Sequence, residues 1–235
     1  MKLSTVIVLP SQITLGLASS VLLDNGSIIT FDDSSQSVQI LRNTSILVQD
    51  DRITAIFPAG SYNDTLPADT EIISATGKIV SPGFIDTHRH LWQSAYRTIA
   101  QNITLSSYTS TLAPGLPAVV ERFKPDDVYY GQYFGILEGL NAGVTSIVDH
   151  SHGTWNEENA EASLKASIDT DARIFWGFNF QGNNPDYPIT RQMEAYQRLL
   201  ASTDWDATPV EFGVSYDQFT ESNRSSIDEV VRVVR

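Results

Sequence analysis

The sequence predicts an α/β fold: an incomplete TIM-like (β/α)8 barrel of about four βα units, preceded by a small N-terminal β-sandwich-type segment. Residues 21–80 are short apolar and β-branched runs separated by polar turns. From residue 81, strand-like runs alternate with helix-length segments, the order that builds a parallel sheet. A complete barrel needs about 250 residues, and the chain from residue 81 onward has room for only about half of one. We therefore divide the chain into a possible leader (1–20), a β-rich segment (21–80) and a partial barrel (81–235).

The β-rich segment contains five strand-like runs. The first two, residues 21–23 and 28–31, flank Asn25-Gly26, a dipeptide typical of tight hairpin turns. The other three runs are residues 45–48, 53–56 and 71–73. Short strands at this spacing predict a small β-sandwich or meander.

Strands and helices alternate in the rest of the chain. We predict strands at 84–90, 144–148, 172–178 and 210–214, and helices at 124–143, 157–170, 189–201 and 226–235. The first helix has the clearest limits, because Pro125 stands near its start and Gly143 at its end. The chain ends within a helical pattern, so we expect a truncated protein whose open sheet edges would make it unstable alone.

The composition restricts the possible partners and chemistry. The chain has 235 residues, a formal net charge of −13 and no cysteine. The acidic surface disfavours nucleic acid and anionic membranes as partners. The lack of cysteine excludes disulfides, thiolate metal sites and cysteine nucleophiles. A metal ion would have to be bound by His, Asp, Glu or a modified Lys.

The first twenty residues are open to two interpretations. Lys2 precedes an apolar run that Pro10 interrupts, which fits a weak secretory signal but not a membrane span. The alternative is an irregular leader on a cytoplasmic enzyme. Five glycosylation sequons shift the expectation slightly towards a secreted glycoprotein. They begin at Asn25, Asn43, Asn63, Asn102 and Asn223.

His88 and His90 are the strongest candidates for a chemical role. Residues two apart on a strand point to the same side, and these two stand at the carboxyl end of the predicted strand 84–90. In (β/α) barrels this end carries the active site. Two imidazoles there can share one divalent ion at about 2.0–2.1 Å each.

A second pair, His150 and His152, comes after the predicted strand 144–148 in the same way. Three interpretations stay open for these side chains. They could complete a four-histidine metal site with His88 and His90, contact the substrate, or serve as structural histidines. We favour substrate contact.

The string from Gly77 to His90, GKIVSPGFIDTHRH, resembles the Pro-Gly-Phe-Ile-Asp-x-His-x-His motif of the amidohydrolase superfamily. As in that family, the motif comes after a β-rich segment. The resemblance covers nearly the whole chain but only about half of a complete family member. It is greatest for the branch of cytosine and guanine deaminases and triazine hydrolases.

The resemblance implies roles for individual residues. His88 and His90 would be the first two metal ligands. Asp86 would either orient these ligands or have a purely structural role. Gln93 would either contact the substrate, together with His150 and His152, or be a solvated or loop-anchoring residue. The further metal ligands and the acid–base carboxylates of the family lie on later strands, so the catalytic residues are expected beyond Arg235.

The implied function is metal-dependent hydrolysis of non-peptide C–N bonds by activated water. The cofactor would be zinc, with iron as the alternative, and the substrate a cyclic amidine, an amide or an aminated heterocycle. Homo-oligomers are possible. We expect this truncated chain to be inactive by itself. Two alternatives stay open: a vestigial non-catalytic module, and another His-x-His barrel hydrolase such as a metal-dependent nuclease.

Overall fold

The computed structural model describes residues 20–62, 64–181 and 185–234. The predicted leader, apart from Ser20, and the sequon at Asn63 lie outside these residues. The chain divides into two compact units, Met1–Pro82 and Gly83–Arg235. Asn43 and Asn102 occupy exposed positions with left-handed backbone, and their glycosylation stays a prediction.

The first unit contains a five-stranded sheet in the order β3-β2-β1-β4, with β5 also paired to β1. The strands are β1 (Ser20–Asp32), β2 (Ser37–Gln49), β3 (Arg52–Pro58), β4 (Glu71–Ser74) and β5 (Ile79–Val80). All described strands of this unit belong to that one sheet. Its first three strands are consecutive antiparallel neighbours, so the described residues form the predicted meander, and the two facing sheets of a sandwich stay a prediction.

The predicted hairpin turn at Asn25-Gly26 is also wrong. β1 runs through both residues, and its register against β2 shifts there because of a bulge. Asn25 has φ 61° and its backbone N–H bonds to Ser45 Oγ at 3.1 Å, so the left-handed residue forms a bulge within a strand. The real turn covers residues 33–36.

The second unit confirms the predicted α/β alternation. Its four strands are parallel neighbours in the order β6-β7-β8-β9. The strands are β6 (Phe84–Arg89), β7 (Val144–Ser151), β8 (Ile174–Asn179) and β9 (Val210–Ser215). β7 is longer than predicted, so the second histidine pair begins inside a strand.

Helices connect these strands. They are α1 (Leu105–Thr111), α2 (Pro117–Val120), α3 (Pro125–Asn141), α4 (Glu157–Asp169), α5 (Ile189–Ser202) and α6 (Arg224–Val234). The last four match the predicted helices to within about two residues at each end. Neither α1, α2 nor the 3-10 helix Leu91–Tyr96 was predicted, and all three lie in the long connection from β6 to β7.

The main core lies between one face of the parallel sheet and the helices. Ile174, Trp176 and Phe178 alternate along β8 and are fully buried against that layer. The outer strand β6 differs, since Phe84 and Ile85 are 67% and 69% exposed. The helical layer thus covers the central strands well, while the edge strand keeps apolar surface open.

Among the described residues, no helix has both the length and the hydropathy that a membrane span requires.

Candidate metal centre

The carboxyl ends of β6 and β7 bring the chain's four histidines together. The two strands are parallel neighbours, so their ends meet at one edge of the sheet. The ring centroids of His88 and His90 are 4.9 Å apart, and that of His150 is 5.6 Å from His88 and 5.2 Å from His90. His152 stacks on His90 at 3.8 Å. The structure thus brings both predicted pairs to one place, and the hydrogen bonds distinguish the four rings.

His90 presents a free lone pair at Nε2. Its Nδ1 lies 2.8 Å from the backbone oxygen of His150. A carbonyl oxygen can only accept, so Nδ1 carries the proton and Nε2 is unprotonated. Burial lowers the pKa of His90 below its usual 6.5, which favours the neutral ring. This tautomer is the one that a metal ion requires when it binds Nε2.

His88 is exposed and stands beside His90 with its ring nearly perpendicular, at 85°. Its backbone N–H donates to Asp86 Oδ1 at 3.3 Å, and the other carboxylate oxygen of Asp86 pairs with Arg89 at 3.2 Å. Asp86 therefore supports the backbone of the motif rather than an imidazole ring.

His150 is held by polar groups from the next two strands. Its Nε2 lies 2.9 Å from Asn179 Nδ2, at the end of β8, and 3.5 Å from Asp217 Oδ2, just after β9. The hydrogen bond with His150 lowers the pKa of the Asp217 carboxyl. His150 is mostly buried, with 14% of its side chain exposed, and faces the same side as the first pair.

His152 is the most deeply buried of the four histidines. The indole N–H of Trp92 donates to His152 Nδ1 at 2.9 Å. That nitrogen is therefore the acceptor, and the proton of the neutral ring sits on Nε2. Burial lowers the pKa of His152 to about 2. The ring offers no free lone pair to a metal ion.

Gln93 lies near the cluster but is already engaged. Its Nε2 donates to the hydroxyl of Tyr108 at 2.6 Å, and the two residues share a surface cavity. Substrate contact by Gln93 would need its remaining amide oxygen.

The donor set fits part of a zinc site. His88 and His90 supply two imidazoles, a ligand type that zinc accepts readily. Across residues 20–62, 64–181 and 185–234, no three His, Asp or Glu side chains are grouped so as to bind one ion. The described side chains thus do not form the four-histidine site, and His88 and His90 would be a partial ligand set.

A buried carboxylate lies directly behind the cluster. Asp149 is fully buried and accepts hydrogen bonds from Leu91 N at 3.1 Å and from Gln132 Nε2 at 2.7 Å. Burial raises the pKa of the Asp149 carboxyl from 3.8 to about 6. Gln132 comes from α3 and also donates to Ser167 on α4 at 3.0 Å.

Sequence reasoning missed four polar residues around the histidines: Gln132, Asp149, Asn179 and Asp217. A signal was present for three of them. Asp149, Asn179 and Asp217 stand at or just after the carboxyl ends of consecutive parallel strands, where polar side chains cluster. Gln132 gave no such signal, because it lies within a helix.

Comparison with known families assigns the chain. Residues 79–222 match the model of the amidohydrolase family. The chain belongs to this family. The match includes both histidine pairs and all four parallel strands.

Relatives and solved structures agree with the assignment. The chain is 28% identical over 170 residues to 5'-deoxyadenosine deaminase of Methanosarcina acetivorans, covering 63% of this chain and 37% of the relative. Guanine deaminase of E. coli superposes with a TM-score of 0.68 at 14% identity, covering 92% of this chain and 51% of that one. The zinc complex of atrazine chlorohydrolase from Arthrobacter aurescens TC1 gives a TM-score of 0.59 at 22% identity, covering 83% and 46%. The chain thus spans about half or less of the proteins it matches.

Proposed function

We propose that this chain is the metal-binding first half of a hydrolase that cleaves non-peptide C–N bonds of small aminated molecules. In this proposal its four βα units correspond to the first half of a (β/α)8 barrel. The residues that would bind the metal ion are His88 and His90.

One observation carries the proposal: the hydrogen bond from His90 Nδ1 to the backbone oxygen of His150. It fixes the tautomer and the rotation of the ring, so that the unprotonated Nε2 stays available beside His88. Metal-binding histidines in proteins are commonly held in this way by a backbone carbonyl. A structural histidine would have no need of a free lone pair.

The second pair receives separate roles. We propose that His150 contacts the substrate, since its ring faces the same side as His88 and is fixed by Asn179 and Asp217. For His152 the structure supports a different role from substrate contact, because the ring is buried and bonded to Trp92. We propose that the His152 ring stacks on the His90 ring and supports it.

The chemistry divides between the ion and the chain. A bound zinc ion would supply Lewis acidity, lowering the pKa of a water molecule towards about 7. His88 and His90 would hold it at the carboxyl edge of the sheet. His150 would orient the substrate, and Asp86 would keep the backbone of the motif in place.

Aminated heterocycles are the favoured substrate class. The relative from Methanosarcina acetivorans is named for deamination of 5'-deoxyadenosine, and one structural neighbour for deamination of guanine. In both names the group released is an amine on a purine ring. An aminated purine is therefore the first substrate to test.

The proposal is tested by metal analysis and then by an ammonia-release assay. The purified chain is loaded with zinc, dialysed, and compared with the double variant His88→Ala/His90→Ala. We expect the wild-type chain to retain zinc and the double variant to lose it. A variant with Asp51→Ala, an exposed residue of the first unit, serves as the control and should retain zinc. Equal zinc content in all three proteins would contradict the metal assignment.

Zinc-dependent ammonia release from 5'-deoxyadenosine or guanine that needs both histidines would establish the reaction. Zinc binding without turnover of any aminated heterocycle would favour a non-catalytic binding module instead.

A further inference from the structure

The segment 90–92 begins at the last histidine of the motif. Each of its three residues donates a hydrogen bond to the end of β7 or to the residue after it. His90 donates from Nδ1 to the His150 backbone at 2.8 Å, and Leu91 donates from its backbone to Asp149 at 3.1 Å. Trp92 donates to His152 at 2.9 Å. Each contact joins residues about 60 positions apart in the chain. Together they leave the His90 ring little freedom to rotate.

The middle contact replaces a helix cap. Leu91 is the first residue of a 3-10 helix, and the residue before it, His90, makes no side-chain cap. The first N–H groups of a helix have no partner inside it, so they need an outside acceptor. Asp149 Oδ1 provides that acceptor from β7. The carboxylate therefore fixes the backbone directly next to the candidate ligand.

Burying the Asp149 carboxylate at this position costs folding free energy. Asp149 has no exposed surface, and its side-chain oxygens accept from the amide of Gln132 and the backbone N–H of Leu91. A buried carboxylate with neutral donors costs stability, which a buried apolar residue would not. Folding stability therefore does not explain the buried carboxylate, and its hydrogen bond to Leu91 points to another role.

Helix α3 confines the same segment from the other side. A Cβ added at Gly131 would lie 2.3 Å from the backbone oxygen of Trp92, and one at Gly135 would lie 2.4 Å from that of Leu91. Gln132 sits between these two close approaches and holds Asp149. The helix therefore sets the position of both the segment and its acceptor.

We propose that Asp149 and Gln132 are positioning residues, which hold His90 in the orientation that binds a metal ion. The inference rests on the proposed function, in which His90 is a metal ligand. It predicts that substituting Asp149 or Gln132 weakens metal binding by more than the accompanying loss of folding stability would explain.

The test compares zinc affinity, by competition with a chromophoric chelator, in the full chain and three variants. Removing the acceptor with Asp149→Ala should weaken zinc binding by about 10-fold or more, the usual range for groups that orient metal ligands. The matched control is Gln192→Ala on α5, which removes buried hydrogen bonds to the backbone oxygens of Gln181 and Tyr187 and makes none to residues 90–92 or Asp149. It should change zinc affinity by less than about threefold, even if its melting temperature falls as far.

The conservative variant Asp149→Asn distinguishes the loss of a hydrogen bond from the loss of a charge. In Asp149→Asn, the new amide oxygen can still accept from Leu91. Its N–H₂ group can donate to Gln132 Oε1 once the Gln132 amide flips and brings that buried, unpartnered oxygen to the place where Nε2 now faces Asp149. Zinc affinity should therefore return to within about threefold of wild type. Asp149→Asn removes the charge but keeps the acceptor for Leu91. Affinity close to that of wild type would therefore show that the hydrogen bond, and not the charge, orients His90.

The outcomes separate the two proposals. If the wild-type chain binds no zinc, the proposed function fails and takes this inference with it. If the wild type binds zinc through His88 and His90 while folded Asp149→Ala binds equally well, only the inference is overturned. It is also overturned if Gln192→Ala weakens binding as much as Asp149→Ala. Should Asp149→Ala not fold, Gln132→Leu replaces it: at least threefold weaker binding supports the inference, and wild-type affinity refutes it.

Discussion

The two histidine pairs have the same spacing and similar places in the fold, yet they differ in chemistry. Each stands at the carboxyl end of a parallel strand, β6 or β7. His90 Nδ1 faces a carbonyl oxygen, whereas His152 Nδ1 faces an indole N–H. The first ring therefore keeps a lone pair on Nε2, and the second carries a proton there.

Spacing thus identifies candidate ligands, but hydrogen-bond partners decide which of them can bind. A His-x-His pattern places two rings on one side of a strand wherever it occurs. Whether a nitrogen is free depends on the group opposite it, which comes from elsewhere in the chain. Here a stacked pair, His90 and His152, combines opposite tautomers at a centroid distance of 3.8 Å.

The largest expected effect is a difference in zinc affinity between variants of the two stacked rings, His90 and His152. His90→Ala should abolish zinc retention, because it removes one of two imidazole ligands. His152→Phe keeps an aromatic ring behind His90 and removes no ligand, so the loss of zinc affinity should stay within about 10-fold. Chelator competition measures both. Equal loss in the two variants would show that the pairs are not distinct.

The second effect is a difference in acid stability. The pKa of His152 is lowered from 6.5 to about 2 by burial, so below pH 6.5 the unfolded chain binds a proton that the folded chain does not. The free energy of unfolding should then fall with decreasing pH by about 1.4 kcal/mol per unit from this group. The His152→Phe variant lacks this titrating group, so it should not show this part of the fall in unfolding free energy.

Urea unfolding at pH 7.0 and 5.0, with EDTA present, measures this effect. Wild type should lose more stability on acidification than His152→Phe. Parallel losses in the two proteins would mean that His152 is protonated in the folded state.

An effect of comparable size is expected from the indole N–H that sets the His152 tautomer. Trp92→Phe leaves His152 Nδ1 buried without a donor, which should cost about 1–3 kcal/mol beyond the lost packing. Trp205→Phe is the matched control, since its indole N–H bonds to the Leu200 carbonyl in an exposed setting. Urea unfolding should show the larger loss for Trp92→Phe, and an equal or smaller loss would argue against the buried hydrogen bond.

The smallest effect concerns the second pair's exposed partner. Asp217 is 57% exposed at its side chain and lies 3.5 Å from His150. Asp217→Asn should change the free energy of unfolding by less than about 1 kcal/mol, because more than half of the Asp217 side chain stays in contact with water. A loss of several kcal/mol in thermal unfolding would show that His150 depends on this carboxylate for the fold itself.

Local signals predicted the helices and parallel strands of the second unit well. α3 has Pro125 at its start and Gly143 just after its end, and the strands are short apolar runs. The first unit was harder, because Asn25-Gly26 fits a bulge as well as a turn and only the pairing with β2 distinguishes them. Local sequence does not contain that pairing.

The candidate site was predicted in part for the same reason. The strand pattern was enough to place His88, His90 and His150 together. It could not show that Trp92 binds His152 or that Gln132 binds Asp149, since these partners are 60 and 17 residues apart and meet only when helices and strands pack. The tautomers, which decide the chemistry, depend on such contacts.

X-ray absorption at the zinc edge of the zinc-loaded chain tests the central claim most directly, because it counts imidazole ligands. We expect two imidazoles at about 2.0–2.1 Å, from His88 and His90, with oxygen donors completing the shell. Four imidazoles would show that His150 and His152 also bind the ion. A shell without imidazole would remove the metal centre from this edge of the sheet altogether.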